Sequence, residues 1–252
     1  MIRGWRLFFE EITKITRFSL RFFRSVFKLP LDVNELFRQC YSIGYKSFPL
    51  VAITGFIMGL VLTIQSRPTL AEFGAESWLP AMVSVSIIRE IGPVITALIF
   101  AGKVGSGIGA ELASMKVTEQ IEAMEVSGMN PFKYLVVTRI IATTLMLPIL
   151  VIAADAIALY GGYMGVNLKA NVNIHLFFSS VFDKLCFMDI FPALIKTVFF
   201  GFAIGLIGCF KGYHSGKGTQ GVGESANYSV VFASLSVFII DMMAVQITSL
   251  FL

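Results

Sequence analysis

Five ionisable side chains stand inside long apolar runs of this 252-residue chain: Arg89, Glu90, Asp155, Lys196 and Asp241. Charge at mid-bilayer depth is costly, so such residues face a cavity, water or an opposite charge. Three kinds of chemistry fit them. They could pair to hold helices together, carry protons or ions, or form a polar patch that receives a charged headgroup in an apolar cavity. Arg89 and Glu90 are consecutive, so on a helix they point about 100° apart and cannot share one partner.

A second constellation lies at 110–127. Glu111, Lys116, Glu119, Glu122 and Glu125 alternate there with Leu112, Met115, Ile121 and Met124. The spacing predicts an amphipathic helix, too short and too charged to span, that ends at Gly128, Asn130 and Pro131. Its charged face suits a soluble partner.

Catalytic chemistry finds no footing. There is no nucleophile motif, no metal-spaced His cluster and no carboxylate pair on a soluble face. Cys40, Cys186 and Cys209 form neither a disulfide framework nor a zinc spacing. The loop-like GYHSGKG at 212–218 has the wrong spacing for a nucleotide loop and no Ser or Thr after Lys217. The expectation is a non-catalytic subunit, with any ATP hydrolysis supplied by another chain.

The elements that must position these residues are membrane helices. The chain is 56% hydrophobic, against about 45–50% for a soluble domain, and its mean hydropathy is +0.79. Apolar runs long enough to cross a bilayer occur at 48–66, 79–103, 134–165, 190–210 and 228–250. Pro93 predicts a kink in the second run beside Arg89. Gly55 and Gly59 have the spacing of close helix approach. The Gly-rich stretch around Gly102, Gly105, Gly107 and Gly109 reads as tight packing or a hinge, and 211–225 reads as a Gly-rich loop.

Before the spans, Arg3, Arg6, Glu10, Lys14, Arg17, Arg21, Arg24 and Lys28 form one stripe. Trp5, Phe8, Ile12, Ile15, Phe22 and Val26 form the opposite one. That pattern predicts a helix lying on an anionic leaflet; the competing reading is an amphipathic helix packed on protein. Asp32 and Glu35 predict a capped second helix at 33–46. The division is thus 1–46, interfacial and elbow helices, and 47–252, a five-helix transmembrane domain. The fold class is an all-α polytopic membrane protein with a short cytoplasmic helix between its second and third spans.

Lys and Arg fall fifteen to three on the two sides of these spans. The positive-inside rule then puts the N-terminus and the 110–127 helix in the cytoplasm and the C-terminus outside.

Three segments, REIGPVITALIFAGKVGSGIGAEL (89–112), KVTEQIEAMEVSGMNPFKYLVVTR (116–139) and KGYHSGKGTQGVGESANYSVVFASLSVFIIDMM (211–243), resemble the MlaE/YrbE family. These are permease subunits of ABC transporters that work with MCE-domain proteins. The resemblance covers about residues 30–250. It implies a homodimer in the bacterial inner membrane that moves phospholipids between inner and outer membranes. It implies a separate ABC ATPase that binds ATP and Mg²⁺, so no cofactor in this chain, and a periplasmic MCE protein. It leaves open a STAS-type accessory protein. Arg89, Glu90, Lys196 and Asp241 fall on the family's substrate cavity, and Glu111, Lys116, Glu119, Glu122 and Glu125 on its ATPase-coupling helix. The alternative from a different class is a self-contained, proton-coupled secondary transporter of amphiphiles using Glu90, Asp155 and Asp241. It calls for internal repeats of the spans, and the sequence shows none.

Overall fold

The computed structural model describes residues 2–26, 32–168 and 172–250; within the first helix, side chains are described for residues 10 and 13–26. All regular structure among the described residues is helical. Five helical stretches are long and apolar enough to cross a membrane: Val33–Glu72, Glu76–Val117, Phe132–Asn167, Phe187–Tyr213 and Gly218–Ser249.

The first helix is α1 (Ile2–Val26). Phe18 and Phe22 are buried in the main core of the bundle. Phe18 meets Phe132 edge-on at 5.1 Å and Phe210 at 5.5 Å, and Arg21 stacks over the Phe132 ring at 4.3 Å. The C-terminal half of α1 is therefore docked on protein. Trp5, Phe8, Ile12, Arg3, Arg6 and Lys28 lie outside the described side chains.

The first span, α2 (Val33–Glu72), is one helix of 40 residues. The expected boundary between 46 and 47 falls inside it, and Pro49 does not end it. Asp32 caps it, accepting from the Glu35 N–H at 3.1 Å. Glu35 does not reciprocate the cap. It accepts from Gln39 at 2.7 Å and from the Tyr134 hydroxyl at 3.1 Å, tying α2 to the start of the third span.

The second span is interrupted twice. It runs through α3 (Leu79–Ser86), a π-helical turn at Ile87–Ile91, α4 (Gly92–Phe100), a second π-helical turn at Ala101–Gly105, and α5 (Ser106–Val117). The first turn has a readable cause. The Gly92 N–H bonds the Ile87 carbonyl, and Pro93 offers no N–H to the carbonyls that follow. The helix widens by one residue where the charges stand.

The expected single helix at 110–127 is corrected. Its first half is α5, the C-terminal end of the second span. The chain turns at Thr118 and Glu119, where Glu119 adopts φ 58°, and a separate helix, α6 (Gln120–Val126), follows. Ile121 anchors α6 in the core.

The third span is a π-helical start, Phe132–Val137, and α7 (Thr138–Asn167). It packs along α2 with glycines on both sides. Gly55 and Gly59 of α2 lie against the Ala154 and Ala158 carbonyls; Gly161 and Gly165 of α7 lie against the Phe56 and Leu60 carbonyls. Each helix thus offers a Gly-x-x-x-Gly pair to the other's backbone.

Between the third and fourth spans, α8 (Ile174–Lys184) buries Phe177 and Val181 in one cluster with Val83 and Ile87. The fourth span is α9 (Phe187–Tyr213) and the fifth α10 (Gly218–Ser249). The Gly-rich segment expected as a loop is mostly helix, leaving only 214–217 between α9 and α10. Its glycines make contacts: Gly212 lies against Gly109, and Gly221 against the Gly216 carbonyl. Ser225 donates to the Gly109 carbonyl at 3.3 Å. Tertiary packing overrides the low helix propensity of glycine here.

Candidate functional site

Four of the five charges read from the sequence meet in one cluster, and a sixth residue joins them. Glu90 leaves the π-helical turn of the second span, Lys196 rises from α9 and Asp241 from α10. Lys196 Nζ donates to Glu90 Oε2 at 2.6 Å and to Asp241 Oδ1 at 2.8 Å. The Lys196 side chain is 5% exposed and is enclosed by the two carboxylates. Arg89 takes a different partner, as the angle between neighbouring helical residues requires. Its guanidinium donates to Asp189 Oδ1 through both Nε and a terminal nitrogen.

Asp189 is the residue that sequence reasoning missed. It stands at the N3 position of α9, where its other oxygen accepts from the Cys186 N–H at 2.9 Å in a capping box. Expecting the span to begin at 190 left Asp189 in the preceding loop. The signal available was an acid three residues after a capping position, at the positive end of a helix dipole. Its side chain is 3% exposed, so its charge is matched by Arg89 and the helix end together.

The cluster holds two cations and three carboxylates. Arg89, at 42% exposed, is the cation that still opens outward; Lys196 is closed in. Arg89, Glu90, Asp189 and Lys196 line a small cavity of about 180 Å³. Beside it, Lys196 also borders an apolar groove of about 640 Å³ between α9 and α10, walled by Phe191, Ile195, Phe199, Ile240, Met243 and Ile247. Greasy walls around a few polar groups suit a ligand with both kinds of surface.

Asp155 does not join the cluster. It lies on α7, its Oδ1 buried over Gly92 and without a hydrogen-bond partner. A side chain at position 92 would occupy the space of that carboxylate.

The five residues expected on the coupling helix divide. Glu119, Glu122 and Glu125 are exposed at the turn and along α6. Glu111 and Lys116 are instead tied to neighbouring elements. Glu111 Oε1 accepts from Arg139 at 2.9 Å, and Lys116 Nζ donates to the Ser215 carbonyl at 3.2 Å. Arg139, also unanticipated, is 3% exposed and bonds the Leu135 carbonyl at 2.9 Å as well. No group of three or more His, Cys, Asp or Glu with metal-holding geometry occurs among the described residues.

The family model described as Permease MlaE matches residues 36–247. A probable ABC transporter permease protein of Rickettsia typhi is 40% identical over 92% of this chain and 90% of its own length. Another of Synechocystis is 34% identical, over 92% and 89%. The intermembrane phospholipid transport system permease protein MlaE of Haemophilus influenzae is 35% identical, over 82% and 79%. Five spans, buried intramembrane charges and these matches lead to one conclusion: the chain belongs to the MlaE permease family and is a multi-pass permease component of an ABC transporter.

Proposed function

We propose that this permease moves glycerophospholipids between the inner and outer membranes of a bacterium, driven by a separate ATPase. The observation that carries this reading is the joining of an apolar groove to a charged cluster at Lys196. Acyl chains fit the groove. The phosphate fits Arg89, the cation with solvent-facing surface, whose remaining N–H donors match a phosphate. The phospholipid named for the Haemophilus relative supports that substrate class.

The distribution of Lys and Arg supports an inner-membrane orientation with the N-terminus and α6 in the cytoplasm. In that orientation the cluster lies in the outer half of the bilayer, and exposed Glu119, Glu122 and Glu125 face the ATPase. One chain leaves the α9–α10 face open, so a homodimer would close the cavity. A periplasmic MCE protein would receive or deliver lipid at its outer end, and a STAS-type protein is a further candidate partner. ATP-driven motion of the ATPase would push α6 and α5, and through them the second span that carries Arg89 and Glu90.

The test is reconstitution of the permease with its ATPase in liposomes containing a fluorescent phospholipid. ATP-dependent transfer is expected, with Arg89→Ala plus Glu90→Ala reducing it at least tenfold, the loss of about 1.4 kcal/mol or more of headgroup binding. Undiminished transfer by the double variant would sink the cavity assignment. Labelling of Glu122→Cys by an impermeant thiol reagent in intact cells would sink the orientation.

A further inference from the structure

The two charges of the cluster that keep open surface are of opposite sign, and they are neighbours in the chain. The Arg89 side chain is 42% exposed and that of Glu90 46%, whereas Asp189, Asp241 and Lys196 are closed in at 3%, 19% and 5%. Arg89 and Glu90 both line the cavity of about 180 Å³. Lys196 bonds one oxygen of Glu90, Oε2, and a carboxylate accepts at both. Beyond Asp189 and Lys196 the rest of the lining is uncharged. The hydroxyls of Thr248 and Ser249 donate to carbonyls of their own helix.

Charge decides which headgroup such a cavity takes. The cluster has one carboxylate more than it has cations. A phosphate brought to Arg89 by an anionic lipid adds a second uncompensated negative charge beside Glu90, in a site walled by hydrocarbon where like charges repel strongly. A zwitterionic headgroup carries its own ammonium. With its phosphate at Arg89 and its ammonium at Glu90, the excess charge does not grow. A primary ammonium also donates charge-assisted hydrogen bonds to a carboxylate. The cavity shares Met188, Pro192, Lys196, Ala244 and Thr248 with the apolar groove of the α9–α10 crevice, so a headgroup held there leaves its acyl chains in the groove.

We propose that Glu90 selects the headgroup. It receives the primary ammonium of a zwitterionic phospholipid whose phosphate sits at Arg89, and it disfavours anionic phospholipids. This rests on the phospholipid reading given above and adds to it a ligand for the acid of the pair. Arg89 holds what all phospholipids share; Glu90 discriminates by what it repels as much as by what it binds.

Competition in one liposome tests this. The reconstituted permease–ATPase complex is given equal amounts of phosphatidylethanolamine and phosphatidylglycerol, each labelled on an acyl chain with its own fluorophore so that the amine stays free. ATP-dependent transfer is expected to favour phosphatidylethanolamine about tenfold, which is about 1.4 kcal/mol, the low end for a hydrogen bond to a charged group. Glu90→Gln, which keeps the size of the side chain, should bring the ratio near one. Because both lipids compete for the same molecules, the ratio does not depend on how much of a variant folds. Thr248→Lys adds a cation to the cavity wall with both partners of Lys196 in place, and should shift the ratio towards phosphatidylglycerol. An even ratio in the unmodified protein, or one favouring phosphatidylglycerol, overturns the selection and leaves the phospholipid reading intact. So does a ratio that both variants leave unchanged. Absence of ATP-dependent transfer of either lipid brings down the phospholipid reading itself, and the selection with it.

Discussion

The α2–α7 seam and the α9–α10 crevice are both pairs of membrane helices, yet they are built to opposite ends. Along the seam, glycines of each helix meet carbonyls of the other, leaving no room for a side chain. Along the crevice, Phe191, Ile195, Phe199, Ile239 and Met243 stand half-exposed around open apolar grooves. Lipid tails are as apolar as leucine, so helices in a bilayer associate where backbones come close, not where side chains are greasy. The seam is thus scaffold, and the crevice is the part that can admit an amphiphile.

The largest effect that separates the two regions comes from Gly59→Val. A side chain there overlaps the Ala158 carbonyl, so the helices must part. The expected cost is about 3 kcal/mol or more, the upper end for overpacking, read as loss of the monodisperse peak in detergent and a fall in denaturant midpoint. Gly107→Ala is the contrast, since no atom lies within 4 Å of its added Cβ. It should be neutral or stabilise by about 0.5–1 kcal/mol through helix propensity alone. Equal damage from both would erase the distinction between seam and open face.

The crevice breaks differently. Lys196→Met leaves Glu90 and Asp241 facing each other without their cation. Because Glu90 is partly exposed, the expected loss is about 2–3 kcal/mol, below that of a fully buried pair. Adding Glu90→Gln and Asp241→Asn should restore most of the stability while transport stays low. Thermal unfolding and lipid transfer, measured side by side, check this. Full recovery of transfer in the triple variant would make the cluster a structural tie only.

These contrasts also explain what was legible in the sequence. Five spans were readable because nothing but hydrophobic length decides them. That Arg89 and Glu90 take different partners followed from helical angle alone. The seam was half visible: Gly55 and Gly59 stood out, but Gly161 and Gly165 did so only once α7 lay against α2. Asp189 was missed because its partner is 100 residues away and its own segment looked like loop. The helical start of α10 was missed because local glycine content predicts a turn, while contacts with Gly109 and Gly216 decide for helix. Phe18 was left out of the apolar stripe of α1 although it is the ring that docks that helix.

A smaller effect sharpens the α5–α6 end. Glu111 and Arg139 join α5 to α7, and Arg139 is the buried partner. Glu111→Gln should cost about 1 kcal/mol, moderated because Glu111 is 57% exposed. The ATPase should still co-purify, and lipid moved per ATP should fall. Glu122→Lys should release the ATPase and leave unfolding unchanged. Release by Glu111→Gln as well would place both acids on the docking face and remove the division between the acid tied to Arg139 and those along α6.

The smallest effect is set by pH where α1 docks. The His214 ring lies 5.6 Å from Phe18 and 4.7 Å from Phe210. Burial holds the imidazole below its usual range, and Lys116, Lys14 and Arg21 push the same way against the bond to the Phe210 carbonyl. A depressed folded value means that the neutral ring favours the docked state. Its contribution is complete above the ordinary imidazole pKa of about 6.5 and fades as pH falls through the depressed value. The half-exposed ring keeps the effect modest. Protease access to α1 should therefore rise on acidification below about pH 6, and His214→Phe should flatten that rise. An unchanged pH profile in His214→Phe would assign the loosening to carboxylates such as Glu122 and Glu125 instead of this ring.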